Sequence, residues 1–530
     1  MTFNLPIRTL SALFDRSVLL AITSGTLIAF SFPDFGLSFL AWIALIPMLV
    51  ALEGASFRTA FRIGFTCGAT AYIIILYWIN IVAVQYGHLP WVLSIPIYLM
   101  LVAWLALFYG FAAITARAGE YIGIKTAVVL PVAWVAFDFI RSFLFTGFPW
   151  AMLGHSQYRT LPLIQIADVT GVYGITALIV LANVVLHRVC SWVSGGKAPY
   201  PFKSALILVT ALIATLIYGF STLNRPEEAV GTPIRVALIQ GNIAQDVKWS
   251  PAFREKTLAI YERLTREAGK GGVDLVVWPE SAVPFFFQDE PEHAARIRDL
   301  SKQLHTWLLI GSPAYQQRNG ISTFLNSAFV INPNGETTAR GDKLHLVPFG
   351  EYVPLKSLLP FVNKLVVGIG DFSPGERATP LNIGTSDAGL LVCYEGIFPE
   401  LAREYVRNGA RILVNITNDA WYGRSSAPYQ HFSIAVFRAV ETRTPLLRAA
   451  NTGITAIVDK NGHVRTMTSL FTEGFRIGEI RPGTGASLYL KIGDVPAWLC
   501  VLLCGGILIW AWLRSVRPNK DETPKASRNL

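Results

Sequence analysis

Charge is scarce in this sequence. Only 15% of its 530 residues are Asp, Glu, Lys or Arg, where soluble proteins carry about 25%. The shortage is local. Between Ser17 and Ser221 stand 14 charged residues, against 45 basic and 35 acidic residues in the whole chain. Hydrophobic residues make up 52%. That excludes intrinsic disorder, and so uneven a distribution marks a membrane part joined to a soluble part. Cysteine is sparse too. Cys67, Cys190, Cys393, Cys500 and Cys504 are odd in number and have no pairable spacing, so they form no disulfide framework. Four of them lie in or at the end of apolar stretches, where cysteine acts as a small hydrophobe. Cys393 alone lies in the soluble part. The chain also lacks a Gly-rich phosphate loop, Cys/His pairs with zinc spacing and a G-x-S-x-G elbow. No metal or cofactor is therefore expected.

A bilayer core about 30 Å thick needs about 20 apolar residues per helix. Eight stretches are read as spans, near 17–33, 36–52, 63–84, 91–115, 124–141, 163–187, 204–222 and 495–513. The first has no small-residue cleavage pattern and is not a signal peptide. With eight spans, the side holding both termini carries 14 Lys and Arg, and the short loops opposite carry only Arg141 and Arg159. Basic loops stay cytoplasmic. Both termini are thus expected in the cytoplasm, and the large segment between spans seven and eight in the periplasm of a bacterium. The expected organisation is a membrane domain at 1–225 with seven helices, a soluble domain at 233–486, an eighth helix at 495–513 and a cytoplasmic basic tail at 515–530. Topology accounts for most of the net charge of +10, so nucleic acid is not expected as a partner. Asp138 and Arg141 share a helix face, and Asp168 stands near the start of span six. Such groups are either functional or an ion pair near the outer interface.

Residues 233–486 alternate short β-rich runs with amphipathic stretches. The runs fall at 234–240, 275–278, 307–311, 327–331, 389–393, 411–415 and 453–458, and the helical patterns at 252–268, 291–305, 397–408 and 428–442. This alternation predicts an α/β domain with buried sheets. Three stretches carry chemistry. Val276-Val277-Trp278-Pro279-Glu280 ends an apolar strand on a carboxylate beside Trp and Pro. Poor solvation would raise its pKa toward that of a general base, unless Glu280 is merely a solvated strand end. Lys343 and His345, two apart, would share a strand face, and Lys343 could equally be a surface lysine. Cys393 ends a strand that turns through Gly396 and Pro399 into a helix. A helix N-terminus would lower its thiol pKa and make it a nucleophile; the alternative is a buried structural cysteine.

Glu280, Lys343 and Cys393 follow one another at intervals of 63 and 50 residues. In this order they resemble the Glu-Lys-Cys triad of the nitrilase, or carbon–nitrogen hydrolase, superfamily, whose fold is an α-β-β-α sandwich. Mounted between seven preceding spans and one following span, the domain resembles the apolipoprotein N-acyltransferase family. Further stretches fit: Gln240-Gly241-Asn242 with Trp249 after it, the run from Lys343 to Pro354, and the run from Asn415 to Gly423. The resemblance implies a phospholipid acyl donor and a diacylglyceryl apolipoprotein acceptor. It implies Glu280 as base, Cys393 as nucleophile, and Lys343 with the Tyr394 N–H as oxyanion donors. Glu351 is expected beside Lys343, with Glu395 in support.

Rival readings are a membrane-tethered amidase acting on small amides and a non-catalytic lipid binder. His345 could also pair with the cysteine as a dyad. After Glu280 come Phe285, Phe286 and Phe287. Three consecutive Phe cannot all face inward on a strand. They are expected to form a loop with at least one exposed Phe that enters the outer leaflet and lines the acyl-chain entrance; the alternative is that all three pack against the domain's own core.

Overall fold

The computed structural model describes residues 15–196, 199–225, 231–318, 321–353 and 371–516. Pro354 and residues 517–530 of the expected tail lie outside the described residues. The helical part comprises α1 (Arg16–Phe30), α2 (Phe57–Ile75), α3 (Trp91–Tyr121), α4 (Thr126–Phe143), α5 (Val172–Val193) and α6 (Phe202–Leu223). Side chains of Asp15 and Ser56 cap α1 and α2 by accepting from Ser17 N–H and Thr59 N–H.

Among the described residues, five helices are long and apolar enough to cross a membrane: α3 to α6 and a C-terminal helix at Val495–Val516. A sixth arises if α2 and Trp78–Tyr86, bent by 48° at their junction, count as one span. This is fewer than the eight expected. The first expected span folds as α1, only 15 residues, or about 22 Å at 1.5 Å per residue. The second folds as a short 3₁₀ turn and helix over Ser38–Leu52. The stretch at 163–187 breaks at Gly171, whose φ of 63° ends a short helical turn before α5 begins. Arg141 lies within α4, not in a loop.

The second part holds two six-stranded sheets. The first comprises β1 (Ile234–Gln240), β2 (Leu275–Val277), β3 (Trp307–Arg318), β4 (Ile321–Ile331) and β5 (Thr337–Asp342), with a late strand, β12 (Gly474–Ile480), beside β1. The second has the order β11-β10-β9-β8-β7-β6, built from β6 (Leu381–Asn382), β7 (Asp387–Val392), β8 (Ile412–Thr417), β9 (Leu446–Ala450), β10 (Ala456–Val458) and β11 (Val464–Met467). Parallel strands β1-β2-β3 and β7-β8-β9 lie inside and antiparallel strands outside.

Alternation places each strand residue. Val236, Leu238, Val277 and Leu309 face the second sheet and share a core with Leu390 and Leu413. Their neighbours Ala237, Ile239, Val276 and Ile310 face outward onto Leu258 and Leu264 of α7 (Arg254–Gly269) and Ile297 and Leu300 of α8 (Pro291–Leu304). Burial on both faces is why these strands read as unbroken apolar runs. Helices α9 (Pro399–Arg407) and α10 (Ala427–Thr442) complete an α-β-β-α sandwich, and α11 (Val495–Val516) follows it.

Helix α10 is buried along nearly its whole length, because the helical part covers its outer face. Tyr158 packs on Phe432 and His155 on Phe437. At its end, Arg443 donates to Asp168 Oδ2 from Nε at 2.9 Å and Nη2 at 2.7 Å, and to Gln165 Oε1 at 2.6 Å. Asp168 therefore ties the helices to the sandwich.

Candidate active site

Glu280 lies just beyond β2. Trp278 prolongs the ladder through its N–H to Leu309 O, and its ring stacks on Tyr261 and donates to Thr265 Oγ1. Gly311 of β3 lies under this segment; a Cβ there would stand 2.2 Å from Pro279 O. Glu280 is buried, and both its oxygens are held. Asn326 Nδ2 donates to Oε1 at 2.8 Å, and the Asn418 N–H to Oε2 at 2.9 Å.

Lys343 follows β5 rather than lying within it, and it is 1% exposed. Its ammonium donates to Glu351 Oε2 at 2.8 Å. Asn326 Nδ2 also reaches Glu351 Oε1 at 2.9 Å, so one amide bridges the two glutamates. Burial opposes the charge on Lys343, but Glu351, Glu280 and Cys393 outweigh it and raise its pKa.

Cys393 follows β7 directly, with a left-handed backbone, φ 55°. The charges of Glu280 and Lys343 both act on its thiol, and the Thr417 hydroxyl beside it donates to Asp419 Oδ1 at 3.0 Å. Burial and then Glu280 push the thiol up to about 12, against the pull of Lys343. This corrects the expected low thiol pKa. Cys393 is the first residue of a five-residue 3₁₀ turn, and α9 begins only at Pro399. A buried thiol beside a carboxylate keeps its proton until a base removes it.

Glu395 joins the two loops. Its carboxylate accepts from the N–H groups of Leu344, His345 and Val392 at 2.6, 2.8 and 2.6 Å. Burial raises its pKa to about 7, against these donors and Lys343. Tyr394 donates from its hydroxyl to Gly147 O, in the loop after α4. His345 packs its ring on Phe398 at 4.1 Å, while the imidazole at the Cys393 carbonyl belongs to His431. Trp249 is half-buried in the loop after β1.

The expected Phe entrance is corrected. Phe285 and Phe287 are 4% and 1% exposed, in the core between the first sheet and its helices. The segment is not a strand, so no alternation forces one ring outward. Phe286 is half-buried, against Tyr315 and Phe324.

Several residues of the site escaped the sequence reading. Asn326, His431 and Arg448 stand in runs that look like ordinary core, while Asn418 and Asp419 lie in the run from Asn415 to Gly423, which carried no role for either. Lys248 is 2% exposed and donates to Glu280 O at 3.0 Å. Burial lowers its pKa to about 8, against Glu280 and Cys393. The available signal was polarity inside apolar context, as at Gln430 and His431 in α10. A cavity of about 390 Å³ opens nearby, between Tyr86 of the helical part and Asn242, Gln245, Asp246 and Arg424 of the sandwich. Gln245 accepts from Asn418 Nδ2 at 2.6 Å.

The sandwich is a carbon–nitrogen hydrolase domain carried on apolar helices: the Carbon-nitrogen hydrolase family profile matches residues 235–489. The profile for the Apolipoprotein N-acyltransferase N-terminal domain matches residues 24–185. Similar proteins include an apolipoprotein N-acyltransferase of Geobacter metallireducens, 57% identical over 92% of this chain and 93% of that one. One of Methylococcus capsulatus is 34% identical over 93% and 95%. Among solved structures, an amidase from Nesterenkonia sp. is 20% identical, covering 51% of this chain and 98% of its own, with a TM-score of 0.38. The chain belongs to the apolipoprotein N-acyltransferase family.

Proposed function

We propose that the chain moves an acyl group from a phospholipid to the α-amine of a diacylglyceryl-cysteine at the N-terminus of an apolipoprotein, through a thioester on Cys393. Family membership supports N-acylation of lipoproteins, and the chain is a membrane-embedded N-acyltransferase. The observation that carries the residue roles is the buried set Glu280–Asn326–Glu351–Lys343, tied by Glu395 to the turn that carries Cys393.

A thiol held near 12 is not a standing thiolate. Glu280 takes its proton as sulfur attacks the ester carbonyl, so proton transfer and bond formation are coupled. Lys343 and the Tyr394 N–H stabilise the oxyanion. The ester C–O bond breaks, Glu280 returns the proton to the leaving lysophospholipid, and the thioester remains. The incoming amine then attacks the thioester. Glu280 takes a proton from nitrogen, the C–S bond breaks, and the proton returns to sulfur. Two half-reactions through one covalent intermediate give ping-pong kinetics.

Both substrates are anchored in a bilayer, so a site mounted on apolar helices raises their effective concentration. The asymmetry of Lys and Arg supports a periplasmic sandwich at the bacterial inner membrane with both termini cytoplasmic. Similarity over 92% of the chain favours transfer over hydrolysis of small amides. The test is intact-mass analysis after incubation with phospholipid. Wild type should gain one acyl mass and Cys393→Ala none. An unmodified wild type would sink the thioester.

A further inference from the structure

The Cys393 carbonyl has two donors. Asn415 Nδ2 reaches it at 3.3 Å and His431 Nε2 at 3.2 Å. A carbonyl only accepts, so His431 carries its proton on Nε2. Its Nδ1 stands 3.1 Å from Arg448 Nη2, a donor, and 3.1 Å from Asp419 Oδ1. Arg448 Nη2 also donates to Asp419 Oδ2 at 2.9 Å, and Arg448 bonds Asn415 Oδ1. All four side chains are fully buried. Burial and then Arg448 lower the His431 pKa, against Asp419 and the Cys393 carbonyl. The Cys393 carbonyl therefore places a proton on Nε2, while Nδ1 faces both Arg448 Nη2 and Asp419 Oδ1.

The held carbonyl has a geometric consequence. Cys393 C=O and Tyr394 N–H belong to one planar peptide and point in opposite directions. Whatever pins the carbonyl aims the N–H. The pinning is needed because Cys393 sits at φ 55°, where a residue with a side chain is strained.

We propose that His431 is a positioning residue: by donating to the Cys393 carbonyl it turns the Tyr394 N–H toward the oxyanion. The role rests on the thioester mechanism above. Trp150 of the helical part packs on the same imidazole, ring centroids 5.8 Å apart. Trp150 and Trp78 donate to the neighbouring Gln430 Oε1 at 2.8 and 3.3 Å. The helical part thus reaches the nucleophile through this ring.

The test uses the full chain in detergent, with p-nitrophenyl butyrate and iodoacetamide as probes. The ester reports attack on a carbonyl: the S–C bond forms, the C–O bond breaks, p-nitrophenolate leaves and the thiol proton passes to Glu280. Alkylation needs the same thiol but no oxyanion donor. His431→Leu should slow the p-nitrophenol burst by about 30-fold or more, since one misaimed oxyanion donor costs up to about 10²–10³. Iodoacetamide labelling of Cys393 should stay within about threefold of wild type. His431→Gln, whose amide can donate from nearly the same point, should recover most of the burst. A Leu variant with a wild-type burst overturns the proposal. So does alkylation that falls in step with the burst, or a Gln variant no better than Leu. If phospholipid leaves wild-type Cys393 unmodified while the ester burst still depends on His431, the donor assignment fails and the positioning role stands.

Discussion

The helical part and the sandwich both bury arginine–carboxylate pairs, but they use them differently. In α4, Arg141 pairs with Asp138 at 2.9 Å and donates from Nη1 to the carbonyls of Phe148 and Trp150. That pair holds a loop, and the loop carries Trp150 onto His431. In the sandwich, charges are linked into sets that reach the nucleophile: Lys343–Glu351 with Asn326 and Glu280, and Arg448–Asp419 with His431. Buried pairs cost desolvation and are weak evidence for stability alone. Their placement explains them. One kind aims a loop between the two parts, and the other sets the charge around a thiol.

The comparison breaks first at the triad, where the largest effects are expected. Glu280→Gln and Cys393→Ser should each cut acyl transfer by about 10⁴-fold or more with little change in unfolding temperature. Thioester formation followed by mass checks this. Normal transfer by either variant would remove the base role of Glu280 or the nucleophile role of Cys393.

Arg141→Met comes next. It leaves Asp138 buried and unpaired, and removing one partner of a buried pair costs about 3–5 kcal/mol. The double variant Asp138→Asn with Arg141→Met should regain much of the stability in thermal unfolding. It should not regain acyl transfer, because the Phe148 and Trp150 carbonyls lose their donor. Full activity in the double variant would reduce this pair to simple packing.

The Phe segment sharpens the contrast between core and surface. Phe287→Ala should destabilise by about 3–5 kcal/mol, the usual cost of emptying a buried Phe site. Phe286→Ser should cost clearly less in a urea titration. Equal losses would place both rings in the same environment.

The smallest effect concerns pH. An unfolded lysine keeps its proton to about 10.5, while folded Lys248 loses it near 8. Between these values the unfolded chain binds more protons, so stability rises with pH, by at most about 1.4 kcal/mol per unit. Below 8 the penalty of the buried charge is fully present. Lys248→Met should flatten that rise in thermal unfolding between pH 8 and 10. An unchanged slope would mean Lys248 does not titrate there.

Much of the fold is local in origin and could be read directly. The runs at 234–240 and 411–415 are apolar at consecutive positions because both faces of inner strands are buried. The helical patterns near 252–268 and 291–305 follow the 3.6-residue period of helices lying on a sheet. Strands β5, β6, β9, β11 and β12 were not anticipated. β12 pairs with β1 across more than two hundred residues, and its residues are only half-buried. Two of the eight expected spans, Arg16–Phe30 and Ser38–Leu52, fold as shorter apolar helices among the described residues, because a hydropathy window measures apolar length and does not register where a turn interrupts it.

The residue types of the proposed triad, their order, the α/β character of 233–486 and the apolar helices around it are all legible in the sequence. These follow from composition and short-range periodicity, which every window of the chain carries. Only the tertiary structure decided that the Cys393 thiol is held high rather than low. It also decided that Asn326 bridges Glu280 and Glu351, that Phe285 and Phe287 are core, and that Lys248 and His431 belong to the site. The physical reason is the same in each case. Burial, charge and hydrogen bonding depend on groups brought together from distant points of the chain, and a thiol's proton affinity is set by those neighbours, not by the residues beside it in sequence.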